Sequence, residues 1–420
     1  MTAICFYFQV HQPRRVKRYR AFQIGQDREY FNESGDNKLN NKKILEKVAN
    51  KCYLPANYTI YDLLLKHPEF KCAFSFSGIF LEQLEEYMPH LLESFRKLIK
   101  TGRVEVLSET YYHSLAALYS KEEFRHQVEL HRRKVKVLFG VEPTAFRNTE
   151  LIYSNDIGAE VEAMGYKAVL AEGADHVLGW KSPNFLYRPR GAKKTKLLLK
   201  NYKLSDDIAF RFSSRAWTEW PLTAPKFAHW VSSHNGSGDV INLFMDYETF
   251  GEHQWEDTGI FEFMRALPGE VLKHRDNTFV TPSEAADRFP ARDELDVPQY
   301  MSWADVERDL SAWRGNPIQH DALQAIYGLE GAVREIDDRK IAEDWRRLQT
   351  SDHFYYMCTK WFADGDVHKY FNPYESPYDA FISYMNAVHD LRLRIDDRLT
   401  AVRAKPPRGF KQRSVAGSRR

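Results

Sequence analysis

Cysteine is scarce in this chain, and the four present (Cys5, Cys52, Cys72 and Cys358) form no C-x-x-C pair. That spacing implies neither a disulfide scaffold nor a zinc framework. Cys5 and Cys72 stand in apolar runs, where a free thiol behaves as a small buried hydrophobe. No stretch approaches 18 uninterrupted apolar residues, so no membrane-spanning helix is expected. The N-terminus has no basic segment followed by a cleavable apolar one, which predicts a reduced, cytoplasmic protein. An excess of charge is also missing: 60 Lys and Arg against 58 Asp and Glu leave a formal +2. Neither nucleic acid nor a membrane surface is implied as a partner. Internal repeats are absent, and no cofactor is expected.

The near-neutrality conceals an asymmetry. From Arg403 to Arg420 there are seven Lys or Arg and no acidic residue, so residues 1–402 are net negative by five. The tail, expected over 401–420, contains Pro, Gly and Ser and lacks helical periodicity, which predicts disorder. A second basic run, Arg14 to Arg20, reads as a solvated loop.

What the chain does have is alternation. Apolar runs at Ile4–Val10, Cys72–Phe76, Val104–Leu107, Thr144–Phe146, Ala168–Leu170, Val240–Met245 and Thr278–Val280 predict strands. Between them lie helical patterns such as Leu81–Ile99, Glu122–Leu138 and Asn155–Met164. Strand–helix alternation predicts βαβ units and a parallel sheet, open or closed, and seven strands is close to a barrel count. After about Pro298 the pattern becomes wholly helical, at Trp303–Trp313, Ile318–Ile336, Ile341–Phe362 and Pro377–Leu399. The expected organisation is a catalytic α/β unit over 1–298, a helical domain over 299–400 and the basic tail.

Active sites of parallel α/β folds gather at the carboxyl ends of the strands. There the chain places His11-Gln12-Pro13, then Phe146-Arg-Asn-Thr-Glu150, then Asp246-Tyr-Glu248-Thr-Phe-Gly251-Glu-His253. Strand three carries Glu105 between Val104 and Val106, on the opposite face from both and so inward in a barrel. Two carboxyl groups on different strand ends suit glycosidic cleavage, in which one protonates the leaving oxygen and the other attacks the anomeric carbon or activates water. Other uses remain open at this level. Glu105 could pair with Arg147 or Arg103, and Ser351-Asp352 could cap a helix beginning at His353. His11, Asp246 and His253 could form a metal-ligand set, although no H-x-D or H-x-x-E-H spacing supports one and no metal is expected.

The ordered series His11-Gln12-Pro13, Arg103-Val-Glu105-Val, Asn148-Thr-Glu150, Asp246-Tyr-Glu-Thr-Phe-Gly251 and Ser351-Asp352-His-Phe-Tyr355 resembles the five regions of family-57 glycoside hydrolases. Asn201-Tyr202-Lys-Leu-Ser-Asp-Asp-Ile-Ala-Phe-Arg-Phe212 is similar to the α-amylase-like branch. The resemblance implies an incomplete (β/α)7 barrel followed by a helical region, and a retaining α-amylase-like enzyme or 4-α-glucanotransferase acting on α-glucans. It implies Glu150 as nucleophile and Asp246 as acid/base, with the Asp246 carboxyl raised by the Glu150 charge and by burial. His11 and Glu105 should line the sugar site, with Asp352 and Tyr355 reaching over the barrel mouth from the helical region. The tryptophan that some relatives carry seven residues after the acid/base is replaced here by His253, with Trp255 two residues later. These two are the candidates for an outer sugar platform.

Overall fold

The computed structural model describes residues 2–31, 35–360 and 367–403. Its strands are β1 (Thr2–Val10), β2 (Cys72–Phe76), β3 (Val104–Leu107), β4 (Ala145–Arg147), β5 (Ala168–Glu172), β6 (Leu186–Pro189), β7 (Lys196–Lys200), β8 (Val240–Asp246), β9 (Asn277–Phe279) and β10 (Ala291–Leu295). β1 is buried along its whole length, as its continuous apolar run requires of a strand covered on both faces.

Seven parallel strands close a ring in the order β1-β2-β3-β4-β5-β7-β8 and back to β1. Two joints are thin. β3 meets β4 through the Ser108–Phe146 bridge, and β7 meets β8 through Lys200 and Asn242. The other strands decorate the ring: β6 runs antiparallel to β7, and β10 pairs with β6. The expected strand at Thr278–Val280 corresponds to β9, which pairs only with the first residues of β1, beneath β2. β7 is the seventh stave, and its Lys-Leu-Leu-Leu-Lys pattern went unread as a strand.

Alternation along each stave sorts the core. Ala3, Cys5, Tyr7, Ala73, Leu107, Ala145, Leu198 and Phe244 point into the ring, where Ala285 and Ala286 of the helix Pro282–Arg288 join them. Ile4, Phe6, Phe8, Ile241, Leu243 and Met245 point outward under the helices. The expected helix Leu81–Ile99 is two, Gly78–Tyr87 and Pro89–Lys100, broken where Pro89 cannot continue the first.

Beyond β10 the elements are helices: Ser311–Arg314, Pro317–Tyr327, Glu330–Ile336, Arg339–Arg347, Ser351–Tyr355, Val367–Phe371 and Pro377–Arg403. Trp303–Trp313, expected to be helical, is loop as far as Leu310, a difference that matters for the site below. The helices share one core with the β4–β5 side of the ring, in which Phe146, Val169 and Ala171 meet Trp313, Leu323, Trp345 and Tyr384. The last helix continues three residues into the expected tail, and 404–420 lie outside the described residues. Among the described residues no helix is long and apolar enough to cross a membrane.

Candidate active site

Glu150 is held by its backbone before it is held by its side chain. β4 ends at Arg147, and Asn148 Nδ2 donates to the Ile152 carbonyl at 2.9 Å, fastening a tight turn. Within it Glu150 (φ 57°) and Leu151 (φ 52°) adopt left-handed backbone, as does His113 (φ 49°) opposite. Such conformations cost about 1–3 kcal/mol each in non-glycine residues, persist only when their surroundings dictate them, and cluster at functional sites.

Three donors surround the Glu150 carboxylate. Trp303 Nε1 donates to Oε2 at 2.8 Å, His113 Nε2 lies 3.1 Å from Oε1, and Ser351 Oγ lies 3.4 Å from the same oxygen. His113 is itself bound through Nδ1 to Glu109 Oε2 at 3.0 Å, and Glu109 Oε1 accepts from Gln9 Nε2 at 3.2 Å. Burial disfavours charge on His113, yet the two carboxylates outweigh it and raise the imidazole to about 9. Burial likewise opposes charge on Glu150, but the His113 bond and charge, with Arg147 beyond, hold its carboxyl below the ordinary range. Glu109 is lowered to about 2 against the same burial, again by His113.

Asp246 closes β8, in register with Gln9 of β1. Its carboxyl is raised to about 6, first by burial and then by the Glu150 charge, while Arg147, Lys200 and His113 pull the other way. Two carboxyls that act on one another electrostatically are therefore displaced in opposite directions, one toward the ion and one toward the acid. Behind Asp246, Glu248 accepts from Tyr53 and Gln12 and is raised to about 8 by burial and the Asp246 charge.

His11 joins the barrel to the helical region. Its Nε2 meets Asp352 Oδ2 at 2.9 Å and its Nδ1 meets Ser77 Oγ at 2.6 Å. Asp352 thus does not cap its helix, which begins at Ser351 behind Thr350. Tyr355, one turn on, stacks on His368 at 4.5 Å and senses the Glu150 charge.

Glu105 is a correction. It does point inward, but level with Ala73 and Tyr7 and below the site, where Ser283 N and Oγ donate to its carboxylate at 2.9 and 2.5 Å. Arg147 and Arg103 do not pair with it. The acid that reaches the site from this segment is Glu109, four residues later and just past the strand end, where the strand-end rule would have found it. Of the two candidates for an outer platform, His253 packs on Phe371, and Trp255 is 55% exposed with Lys51 over its ring at 4.6 Å. With both His11 nitrogens engaged and His253 turned to Phe371, the alternative ligand set with Asp246 is not assembled. Among the described residues no group of three or more His, Cys, Asp or Glu is placed to hold a metal ion. The Arg14–Arg20 loop is not a solvated run: Arg14 pairs with Glu86, Arg18 with Asp36 and buried Lys17 with Asp27.

Sequence reasoning also missed His113, which stands in a segment without period, and Trp303, which opens a run expected to be helical. Trp303 arrives because residues 301–303 run beside the Glu150 turn. Met301 and Tyr153 exchange backbone hydrogen bonds, and Trp303 N donates to the Glu150 carbonyl.

Known proteins share this fold. A protein of Methanocaldococcus jannaschii that bears a provisional alpha-amylase name is 44% identical over 409 residues, covering 94% of this chain and 85% of its own. Two crystal structures share the fold. One is a branching enzyme from Thermococcus kodakaraensis in complex with glucose (TM-score 0.63, 15% identity, 88% of this chain and 87% of that one). The other is a 4-alpha-glucanotransferase from Thermococcus litoralis (TM-score 0.62, 19% identity, 84% of this chain and 56% of that one). The model of glycosyl hydrolase family 57 matches residues 5–298, from β1 to just past β10 and so through every stave of the ring, and it is to this family that the chain belongs.

Proposed function

We propose that this protein is a retaining glycoside hydrolase cleaving α-glucosidic bonds in maltodextrin-, starch- or glycogen-type glucans, with Glu150 as nucleophile and Asp246 as acid/base. The observation that carries the roles is the opposite displacement of the two carboxyls, Glu150 toward the anion and Asp246 up to about 6. Retention requires an ionised group to attack and a protonated one beside it. In the first step a Glu150 oxygen bonds to the anomeric carbon, the glycosidic C–O bond breaks, and the leaving oxygen takes the Asp246 proton. In the second, water attacks the same carbon, the bond to Glu150 breaks, and Asp246 accepts the water proton.

His11, Asp352 and Tyr355 line the sugar bound at the cleavage point, and Glu109 and His113 support Glu150 from behind. The exposed Trp255 ring, with His253 beside it, suits the apolar face of a sugar further along the chain. Residues 1–298 form the catalytic barrel, 299–400 a helical domain completing the site, and 401–420 a basic extension. Four buried free thiols support a reducing, cytoplasmic location. Relatives named alpha-amylase and 4-alpha-glucanotransferase both resemble the chain over part of its length. Incubation with maltoheptaose and chromatography of the products tests the reading. Shorter sugars alone mean hydrolysis, a ladder in both directions means glucanotransfer by the same site, and unchanged maltoheptaose overturns the assignment.

A further inference from the structure

Arg147 presents a charge that the site does not visibly neutralise. It ends β4 with its backbone N–H bonded to the Ser108 carbonyl, and its side chain, like that of Ala145, points into the ring. The residue is 0% exposed. None of its three guanidinium nitrogens forms a hydrogen bond with a described residue. Its Cζ lies 4.8 Å from the ring centroid of Trp303, the indole that donates to Glu150.

The neighbouring cations are all matched. His113 lies between Glu109 and Glu150. Lys200, 5.4 Å from the same indole, meets Asp206 at 3.0 Å and Glu172 at 3.7 Å, and Arg308 meets the same two acids at 3.6 and 3.4 Å. Burying a guanidinium without a partner is costly, and an apolar residue of similar size would serve packing as well or better.

In the reaction proposed above, the Glu150–Asp246 pair carries one negative charge throughout. It sits on Glu150 before the glycosidic bond breaks. It sits on Asp246 once Glu150 is esterified and the proton has gone to the leaving oxygen. A cation bonded tightly to either carboxyl would favour one of these states over the other. A buried cation that acts on both and is bonded to neither accompanies the charge as it moves. We propose that Arg147 is a positioning residue, the fixed counter-charge shared by Glu150 and Asp246. This rests on the mechanistic reading above. Arg147 depresses the carboxyls of Glu109, Glu150 and Asp246 alike, as a shared cation should. The other charged groups facing the pair are His113 and Asp352 toward Glu150, and Lys200, His113 and Glu248 toward Asp246.

The test compares Arg147→Met, Arg147→Gln and Arg147→Lys with the wild type. Removing a positive charge raises both carboxyls, so in Arg147→Met both limbs of the kcat/KM–pH profile on an activated aryl α-maltoside should move up by about one pH unit. Arg147→Lys should return both limbs to their wild-type positions, and Arg147→Gln should behave as Met does. Relative to wild type, the thermal midpoint of Arg147→Met should fall more at pH 7, where both carboxyls ionise, than at pH 5, whereas a packing role would lower it equally at both. Limbs that stay in place while only the amplitude falls, or Lys no better than Met, would overturn the assignment. If the wild type does not cleave the aryl maltoside, it is the α-glucan reading that fails. The Arg147 assignment is then judged without substrate, by carbon-13 NMR titration of the two carboxyls, assigned with Glu150→Gln and Asp246→Asn. Both must titrate higher in Arg147→Met or Arg147→Gln, and unmoved titrations reject the proposal.

Discussion

The imidazoles of His11 and His113 lie face to face, ring centroids 3.9 Å apart and planes 20° from parallel. Two stacked imidazolium ions would repel one another, so the pair accommodates one charge. His113, gripped by Glu109 and Glu150, takes it; His11, lowered by burial and by the His113 charge, stays neutral at pH 7. A neutral His11 donates from Nε2 to Asp352 and accepts from Ser77 at Nδ1. Glu150 thereby keeps a charged donor on one side, while the neighbouring ring presents no second cation to the sugar.

The buried His113–Glu109 pair ties stability to pH. His113 is raised from an ordinary value near 6.5 to about 9, so its contribution is whole below about pH 6.5 and is lost as pH climbs through 9. Glu109 is depressed to about 2, so its contribution is whole above about pH 4.5 and is lost as pH falls through 2. Thermal midpoints should therefore be highest between about pH 4.5 and 6.5. His113→Gln should flatten the alkaline decline between pH 7 and 10. An unchanged decline would assign it to other groups.

Glu105 and Glu109 should part company. Glu105→Gln still accepts the Ser283 N–H and loses only charge reinforcement, so kcat/KM should stay within about twofold and stability fall by about 1 kcal/mol. Glu109→Gln strips His113 of one of its two carboxylates. Glu150 then loses part of its support, and kcat/KM should fall about 10- to 100-fold. Steady-state kinetics of the two variants decide between them, and a large loss for Glu105→Gln would return that residue to the site.

Trp303→Phe keeps a ring over Arg147 and deletes the donor to Glu150 Oε2. Losing a hydrogen bond to a charged group of about 1.5–3 kcal/mol predicts a kcat/KM lower by roughly 10- to 100-fold. The acid limb should move to higher pH, since Glu150 ionises less readily without the bond. A lower kcat/KM with an unmoved acid limb would mean that the indole acts on the sugar instead.

Much of this site was legible because strand ends are. β1 stops just before His11, β4 three residues before Glu150 and β8 at Asp246, and each gives way to polar residues that a sealed core would not tolerate. β7 was not legible, because Lys196 and Lys200 bracket three leucines and the short run fits a helix turn equally well. The register error at Glu105 has the same root. An inward direction follows from alternation, but depth along the barrel does not, and four residues separate a bond to Ser283 from a bond to His113. His113 and Trp303 reach Glu150 across 37 and 153 positions of sequence, and Arg147 meets Trp303 from as far away, which no local pattern records. Asp352 was reachable only through its motif, since its own helix explains the residue as a first-turn acid.

The two carboxyls can be told apart by what each variant still does. In the proposed roles Asp246 must be protonated for the first step, so kcat/KM of the wild type should fall as pH rises through about 6, while the acid limb, set by Glu150, should lie below the ordinary carboxyl range. Glu150→Gln should lose turnover on natural and activated substrates alike, because no glycosyl-enzyme can form. Asp246→Asn should keep much of its first step on an activated aryl α-glycoside, whose leaving group needs little protonation, and there the alkaline limb near pH 6 should vanish. Its second step lacks a base and becomes limiting, so the glycosyl-enzyme should accumulate and be visible by mass spectrometry. Azide attacks without a general base, and it should restore the rate and yield an α-glycosyl azide, the anomer that two inversions require. Equal losses for both variants on both substrates, with no azide rescue of Asp246→Asn, would reverse or void the assignment. A β-azide would contradict a covalent intermediate on Glu150.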